Sequence, residues 1–223
     1  MSSRARNEVT SRGRSFKDSS TRSIRSLGRN DRKTVIIFVM LNILKFDLYT
    51  TTLLQIIIPR NLFFSYFFSF FSVIGSATLI WIVLAILLVV FEEIKHKKFI
   101  IYFALSLLTT ALLVNVVAKN IVRRPRPILP PNSYLLTPNF FCPVDYSFPS
   151  GHAATAFAAA TILTYFDKKR RWFYYIVAIL ISFSRIYLGC HYFFDVIVGA
   201  LIGYLISRLL LFFLDTSPFR RRS

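Results

Sequence analysis

The sequence has few of the residues that soluble domains use in abundance. Only 17% of its 223 residues are charged and only 7 are glycine, whereas 55% are hydrophobic. This composition excludes an ordinary soluble domain and an intrinsically disordered chain. The 2 cysteines, Cys142 and Cys190, are too few for a disulfide framework or a four-ligand zinc site, so no metal or other cofactor is predicted.

The few charges are mostly positive. Lysine and arginine number 28 against 10 acidic residues, which gives a formal net charge of +18. Such an excess is typical of nucleic-acid-binding proteins and of membrane proteins with positive cytoplasmic loops. Because more than half of the chain is apolar, we favour a membrane protein and predict no nucleic-acid partner. The sequence predicts no particular oligomeric state.

The chain divides into three parts. Residues 1–34 are rich in arginine and serine and predict a disordered, basic cytoplasmic tail. Residues 35–215 predict a transmembrane domain, and residues 216–223 a basic cytoplasmic carboxyl terminus. The middle part has room for an all-α integral membrane bundle of about six transmembrane helices, which we place near residues 35–58, 70–91, 99–118, 152–166, 172–189 and 195–214.

Two of these stretches have alternative interpretations. Lys45 and Asp47 interrupt the first and do not face each other on a helix, so it could be a short span followed by an interfacial segment. The phenylalanine-rich run 61–71 suits an aromatic belt at headgroup level, or the apolar start of the second span.

The basic residues predict the orientation of the bundle. Basic segments follow the second, fourth and sixth spans, at 95–98, 168–171 and 220–222, so all three lie on one side. The positive-inside rule makes that side cytoplasmic. Six other basic residues fall on the outer side and are expected to have another role: Arg60, Lys119, Arg123, Arg124, Arg126 and Arg185.

Three motifs on the outer side carry groups that suit phosphate chemistry. The segment from Lys119 to Pro127 offers an ammonium group and guanidinium groups, although basic residues beside a span can also be headgroup anchors. Ser150 and Gly151 stand at the amino terminus of the fourth span, where free backbone N–H groups bind anions, and His152 follows them. A lone histidine there could also be an ordinary interfacial residue.

The third motif contains a histidine and a carboxylate one helical turn apart. His191 and Asp195 are four residues apart, so the carboxylate can hold one imidazole nitrogen and leave the other free. A carboxylate at the edge of a span is by default a hypothesis of function.

In their order and spacing, these motifs resemble those of the type-2 phosphatidic acid phosphatase superfamily. Its pattern is Lys-x6-Arg-Pro, then Pro-Ser-Gly-His, then Ser-Arg-x5-His-x3-Asp, and every position is present here, over roughly residues 70–214. The resemblance implies His191 as the nucleophile, Asp195 as its orienting partner and His152 as the acid and base. It implies that the phosphate oxygens are held, without a metal, by Lys119, Arg126, Ser150, Gly151 and Arg185.

The implied substrate is a lipid phosphate or pyrophosphate at the outer face of a bacterial plasma membrane. Undecaprenyl pyrophosphate is our first choice, and phosphatidylglycerophosphate or phosphatidic acid are next. Arg123 and Arg124, which are not motif positions, could bind the second phosphate of a pyrophosphate. Two alternatives stay open: a lipid phosphotransferase with the same residues, and a non-catalytic lipid-binding membrane protein, which would be expected to have lost a catalytic group.

Both cysteines are predicted on the outer side. Cys190 directly precedes His191, so in an oxidising compartment a bond to Cys142 could hold the loop between them over the site. Two free thiols are the simpler interpretation.

Overall fold

A computed structural model describes residues 32–76, 79–91, 98–127 and 142–215. Most of the predicted tail, the basic segment at 95–97 and the carboxyl-terminal residues 216–223 lie outside the described residues. The helices, numbered in chain order, are α1 Arg32–Ile57, α2 Leu62–Gly75, α3 Leu79–Val90, α4 Phe99–Val122, α5 Gly151–Phe166, α6 Arg171–Tyr187 and α7 Phe193–Asp215. Within the described ranges the chain forms helices and no strand, which confirms the all-α prediction.

Within the described part of the chain, three helices are long and apolar enough to cross a membrane by length and composition, namely α1, α4 and α7. The second predicted span, 70–91, is in fact two helices, α2 and α3, which meet at 66° and together make a fourth candidate. The break follows Gly75, because Ser76 has extended backbone angles and its hydroxyl donates to the Ser72 carbonyl. The phenylalanine-rich run is helical and forms most of α2.

Helix α5 is the centre of the bundle and packs against α4, α6 and α7. Its alanines at 153, 154, 156 and 158–160 are all buried, and small side chains let helix backbones approach closely. Gly203 in α7 lies so near that a Cβ there would overlap the Ala154 carbonyl. The backbone N–H of Ser150 also donates to the Asp195 carbonyl at 2.9 Å. This close packing places the second and third motifs side by side.

Helix α4 delivers the first motif. Residues Leu112–Ala118 are π-helical, and such wider turns change the direction of the side chains around them. The helix ends at Arg123, which adopts a left-handed backbone conformation with φ 50°. The chain therefore turns after α4, and Ser147 fastens the turned segment by donating its N–H to the Arg124 carbonyl at 2.8 Å.

Contacts divide the chain into two units at Phe46. The described part of the first unit, residues 32–46, is a helical stretch with exposed apolar side chains. The second unit, from Asp47 onwards, contains every residue of the site described below.

Cys142 and Cys190 form a disulfide. The expectation of two free thiols is therefore wrong, and the structure shows the other possibility, a bond between the two cysteines. The bond fastens the segment before α5 beside His191, so it brings residues 142–147 to the edge of the site.

Candidate active site

All three motifs line one cavity of about 350 Å³. The residues around it include five of the predicted site residues together with two that the sequence did not single out. They are Lys119, Arg126, Gly151, His152 and His191, joined by Asn115 and Asp145. The cavity therefore brings together side chains from three segments that are far apart in the sequence.

His191 is buried, with a hydrogen-bonding arginine on one side of its ring and a carboxylate just beyond hydrogen-bond distance on the other. Its Nε2 lies 3.2 Å from Arg126 Nη1, and its Nδ1 lies 3.6 Å from Asp195 Oδ2. Because a guanidinium group can only donate, Nε2 must be the acceptor, so in the neutral ring the proton is on Nδ1. The carboxylate of Asp195 thus faces the protonated nitrogen, and the lone pair of Nε2 faces the cations of the cavity.

The surroundings of His191 keep its ring neutral. Burial, together with the positive charges of Arg185 and Arg126, lowers the pKa of His191 to about 4, although Asp195 acts in the opposite direction. At neutral pH the ring therefore offers one unprotonated nitrogen.

Lys119 and Arg126 form a cradle for an anion, and in this structure a carboxylate lies in it. Lys119 Nζ and Arg126 Nη2 each donate to a different oxygen of Asp145. Burial alone would raise the pKa of Asp145, but the hydrogen bonds from Lys119 and Arg126 outweigh it and hold the pKa below its usual value. The two cations are thus placed to bind the oxygens of an anion directly beside His191.

Asp145→Asn is expected to strengthen inhibition by inorganic phosphate. The change removes the carboxylate charge that competes with phosphate for Lys119 and Arg126. The inhibition constant of phosphate should therefore fall about three- to tenfold, which corresponds to the binding free energy of one or two partly exposed ion pairs. Asp167→Asn is the matched control, because Asp167 pairs with Arg170 at the other end of α5. Unchanged phosphate inhibition in Asp145→Asn would show that the carboxylate does not compete with phosphate.

Arg185 and Ser150 keep unused donors in the buried part of the site. Arg185 is 3% exposed and its Nη1 donates to the hydroxyl of Ser72. Among the described residues, its Nε and Nη2 and the hydroxyl of Ser150 have no hydrogen-bond partner. Buried donors without partners are costly unless a ligand or water meets them. These donors are therefore open to a ligand or water, and their binding of phosphate stays a prediction.

His152 and Gly151 stand at the amino terminus of α5 on the wall of the cavity. His152 Nε2 lies 3.2 Å from the hydroxyl of Ser76, which directly follows α2. A Cβ at Gly151 would lie 2.6 Å from Asn115 Oδ1, so a larger residue there would have to displace that side chain from its place in the π-helical part of α4.

The structure places Arg124 differently from the sequence interpretation. Both of its terminal nitrogens donate to carboxylates, Nη1 to Asp195 and Nη2 to Asp47, so they are not directed to a second phosphate. Arg123 is exposed, and its Nε donates to the Asn120 carbonyl. The structure brings Arg124 to the site as a partner of Asp195 and leaves Arg123 outside it.

Five residues of the site were missed by sequence reasoning. They are Asp47, Ser72, Ser76, Asn115 and Asp145. One signal was present: a charged residue inside an apolar span is a functional hypothesis, and Asp47 was noted only as an interruption. The serines and Asn115 have no such signal, because polar residues of this size are common in membrane helices.

An unprotonated imidazole nitrogen beside clustered cations is suited to transferring a phosphoryl group. On a bundle of apolar helices, this arrangement is typical of a membrane-embedded phosphatase. The chain belongs to the PAP2 superfamily, whose sequence profile matches residues 99–218, and it is a lipid phosphatase of that superfamily. Helices α1, α2 and α3 lie outside the matched segment.

Similar proteins support the assignment. An undecaprenyl-diphosphatase from Sulfolobus acidocaldarius is 35% identical over 144 residues, which are 64% of this chain and 67% of the relative. The crystal structure of Aquifex aeolicus LpxE has a TM-score of 0.59 and 29% identity, and covers 74% of this chain and 93% of its own. A transmembrane PAP2-type phosphatidylglycerolphosphate phosphatase from Bacillus subtilis has a TM-score of 0.62 at 22% identity, covers 80% and 90%, and supports the fold.

Proposed function

We propose that the chain hydrolyses a lipid diphosphate or lipid phosphate at the outer face of a bacterial plasma membrane, through a phosphohistidine on His191. The observation that carries the proposal is the anion cradle beside a neutral histidine. Lys119 and Arg126 hold a carboxylate next to the unprotonated Nε2, which accepts a hydrogen bond from Arg126 in this structure. Where that carboxylate lies, a phosphate would find the same donors and a nucleophile within reach.

The reaction follows from the roles of the two histidines. The lone pair of His191 Nε2 attacks phosphorus, and the bond from phosphorus to the leaving oxygen breaks. His152, protonated at the start of the cycle, gives that oxygen a proton and the lipid product leaves. Water then attacks phosphorus, the bond from Nε2 to phosphorus breaks, and His152 takes a proton from that water. Inorganic phosphate leaves, and both rings return to their starting states. Asp195 stabilises the positive charge of the His191 ring while the phosphoryl group is attached.

Lys119, Arg126 and Arg185 supply the positive charge for the equatorial oxygens. Their guanidinium and ammonium groups take the part that magnesium plays in many phosphoryl-transfer enzymes, so the proposed reaction uses no metal. Ser150 and Gly151 complete the set with a hydroxyl and a backbone N–H at the start of α5.

Undecaprenyl pyrophosphate is the favoured substrate. The relative from Sulfolobus acidocaldarius carries the name of that activity, and its similarity extends over 64% of this chain. The outward orientation is supported by the basic segments at 168–171 and 220–222, which lie at the opposite ends of their spans from the motifs. The prenyl or acyl chain would stay in the bilayer, and the phosphate would enter from headgroup depth.

A phosphate-release assay on a lipid panel tests the proposal. The purified chain in detergent is expected to release phosphate from undecaprenyl pyrophosphate, phosphatidylglycerophosphate and phosphatidic acid, fastest from the first, and at the same rate in EDTA. Loss of phosphate release in EDTA would contradict the metal-free reaction. Consumption of lipid without phosphate release would indicate a phosphotransferase in place of a hydrolase.

A further inference from the structure

Asp195 is fully buried and makes more contacts than its spacing to His191 predicts. Its Oδ2 accepts from the backbone N–H of Tyr192 at 2.9 Å and faces His191 Nδ1 at 3.6 Å. Its Oδ1 accepts from Arg124 Nη1 at 2.7 Å. A buried carboxylate stays ionised only when it is well paired, so Arg124 is a main partner of the charge that faces the nucleophile.

Arg124 is itself held in place on two further sides. Its Nη2 donates to Asp47 Oδ2 at 2.6 Å, and its guanidinium group lies 3.9 Å from the ring centre of Tyr192. The side chain of Arg124 is 18% exposed, and those of Asp47 and Asp195 are 1% and 0% exposed. A planar guanidinium group that donates to two carboxylates and also lies over an aromatic ring has little freedom to rotate.

Asp47 joins this group to the start of α7. Its Oδ1 accepts from the backbone N–H of Phe194 at 2.8 Å. Thr51, one turn further along α1, accepts with its hydroxyl from the backbone N–H of Phe193 at 2.9 Å. Helix α1 thus caps the helix that carries Asp195. Asp47 lies outside the segment that the superfamily profile matches, so this part of the site comes from residues beyond that profile.

We propose that Asp47 and Arg124 are positioning residues for phosphoryl transfer. Arg124 holds the Asp195 carboxylate in place beside His191, and Asp47 balances the positive charge of Arg124, so that Asp195 keeps its negative charge toward the ring. The proposal rests on the proposed role of His191 as the nucleophile. Arg124 orients Asp195 by the hydrogen bond from Nη1 to Oδ1. Asp47 offsets the charge of Arg124, so the three groups together carry one net negative charge, which faces the ring that becomes positive in the phosphohistidine.

The proposal predicts a loss in kcat that does not depend on the substrate. Arg124→Gln should lower kcat about 10- to 100-fold, the usual cost of removing the partner of a catalytic group. KM should change by less than about twofold, because both terminal nitrogens of Arg124 donate to carboxylates and not into the cavity. The factor should be the same for undecaprenyl pyrophosphate and phosphatidic acid. Arg123→Gln is the matched control and should keep the activity of the unchanged protein.

A charge-neutralising double variant tests the role of Asp47. Arg124→Gln leaves two buried carboxylates without the cation between them, so adding Asp47→Asn should restore part of the lost kcat. Two substitutions that merely loosen the fold would instead multiply their losses. Arg124→Lys keeps the charge but lacks the fork that reaches both carboxylates, so its kcat should lie between those of Arg124→Gln and the unchanged protein.

The outcomes separate this inference from the mechanism beneath it. A loss confined to pyrophosphate, or a rise in KM alone, would make Arg124 a ligand of the second phosphate and overturn the inference. Losses that multiply in the double variant would overturn the role given to Asp47. If Arg124→Gln does not fold, Arg124→Lys and the double variant decide on the same measures. Full activity in His191→Ala would overturn the proposed mechanism, whatever the Arg124 variants do.

Discussion

His191→Ala is expected to abolish turnover, with kcat falling by roughly 10⁴- to 10⁶-fold. The change removes the only atom proposed to bond to phosphorus, Nε2, and the cations that remain cannot replace it. Asp195→Asn should leave a small residue of activity, because it removes the charge that faces Nδ1 but not the nucleophile. The measurements are kcat on undecaprenyl pyrophosphate and trapping of an acid-labile, base-stable phosphoenzyme, which His191→Ala should not form.

The third histidine offers a matched control for this experiment. His96 belongs to the segment after the second predicted span, outside the described residues, and His96→Ala should keep both turnover and the phosphoenzyme. Full activity in His191→Ala would rule out the phosphohistidine on this residue. A phosphoenzyme that still forms there would move the nucleophile to another side chain.

His152→Ala is expected to affect substrates according to their leaving groups. A monoester such as phosphatidic acid releases an alkoxide, which needs a proton as the bond breaks, so its turnover should fall about 10²- to 10⁴-fold. A pyrophosphate releases a phosphate that is stable without the proton, so its loss should be about tenfold or less. The position of His152 on the cavity wall, in the same cavity as His191, is the basis of this expectation.

A substrate series provides the internal control for His152. An aryl phosphate has a stable leaving group but the same monoester phosphate, so in His152→Ala it should behave like pyrophosphate. Equal losses on all three substrates would mean that His152 does not protonate the leaving oxygen. In that case, the contact of His152 with Ser76 would indicate that His152 has a structural role at the mouth of the site.

The sequence alone was sufficient for the composition-driven and local features of this protein. The apolar stretches predicted helices because, in a bilayer, the backbone N–H and C=O groups of a segment must form their hydrogen bonds with one another. The three motifs named five of the residues that line the cavity, because each motif is a short stretch of sequence that can be read without the fold. Local patterns of this kind survive whatever the rest of the chain does.

The tertiary structure alone decided which distant residues support that site. Asp47, Arg124 and Asp195 meet although 77 and 71 residues separate the two pairs, and no spacing rule joins such positions. The bend between α2 and α3, which leaves Ser76 beside His152, and the disulfide that brings Asp145 near Lys119 likewise depend on how helices pack. Sequence periodicity indicates which face of a helix is apolar. It does not indicate which distant residue will pair with a buried charge, because that depends on how the helices pack in the folded bundle.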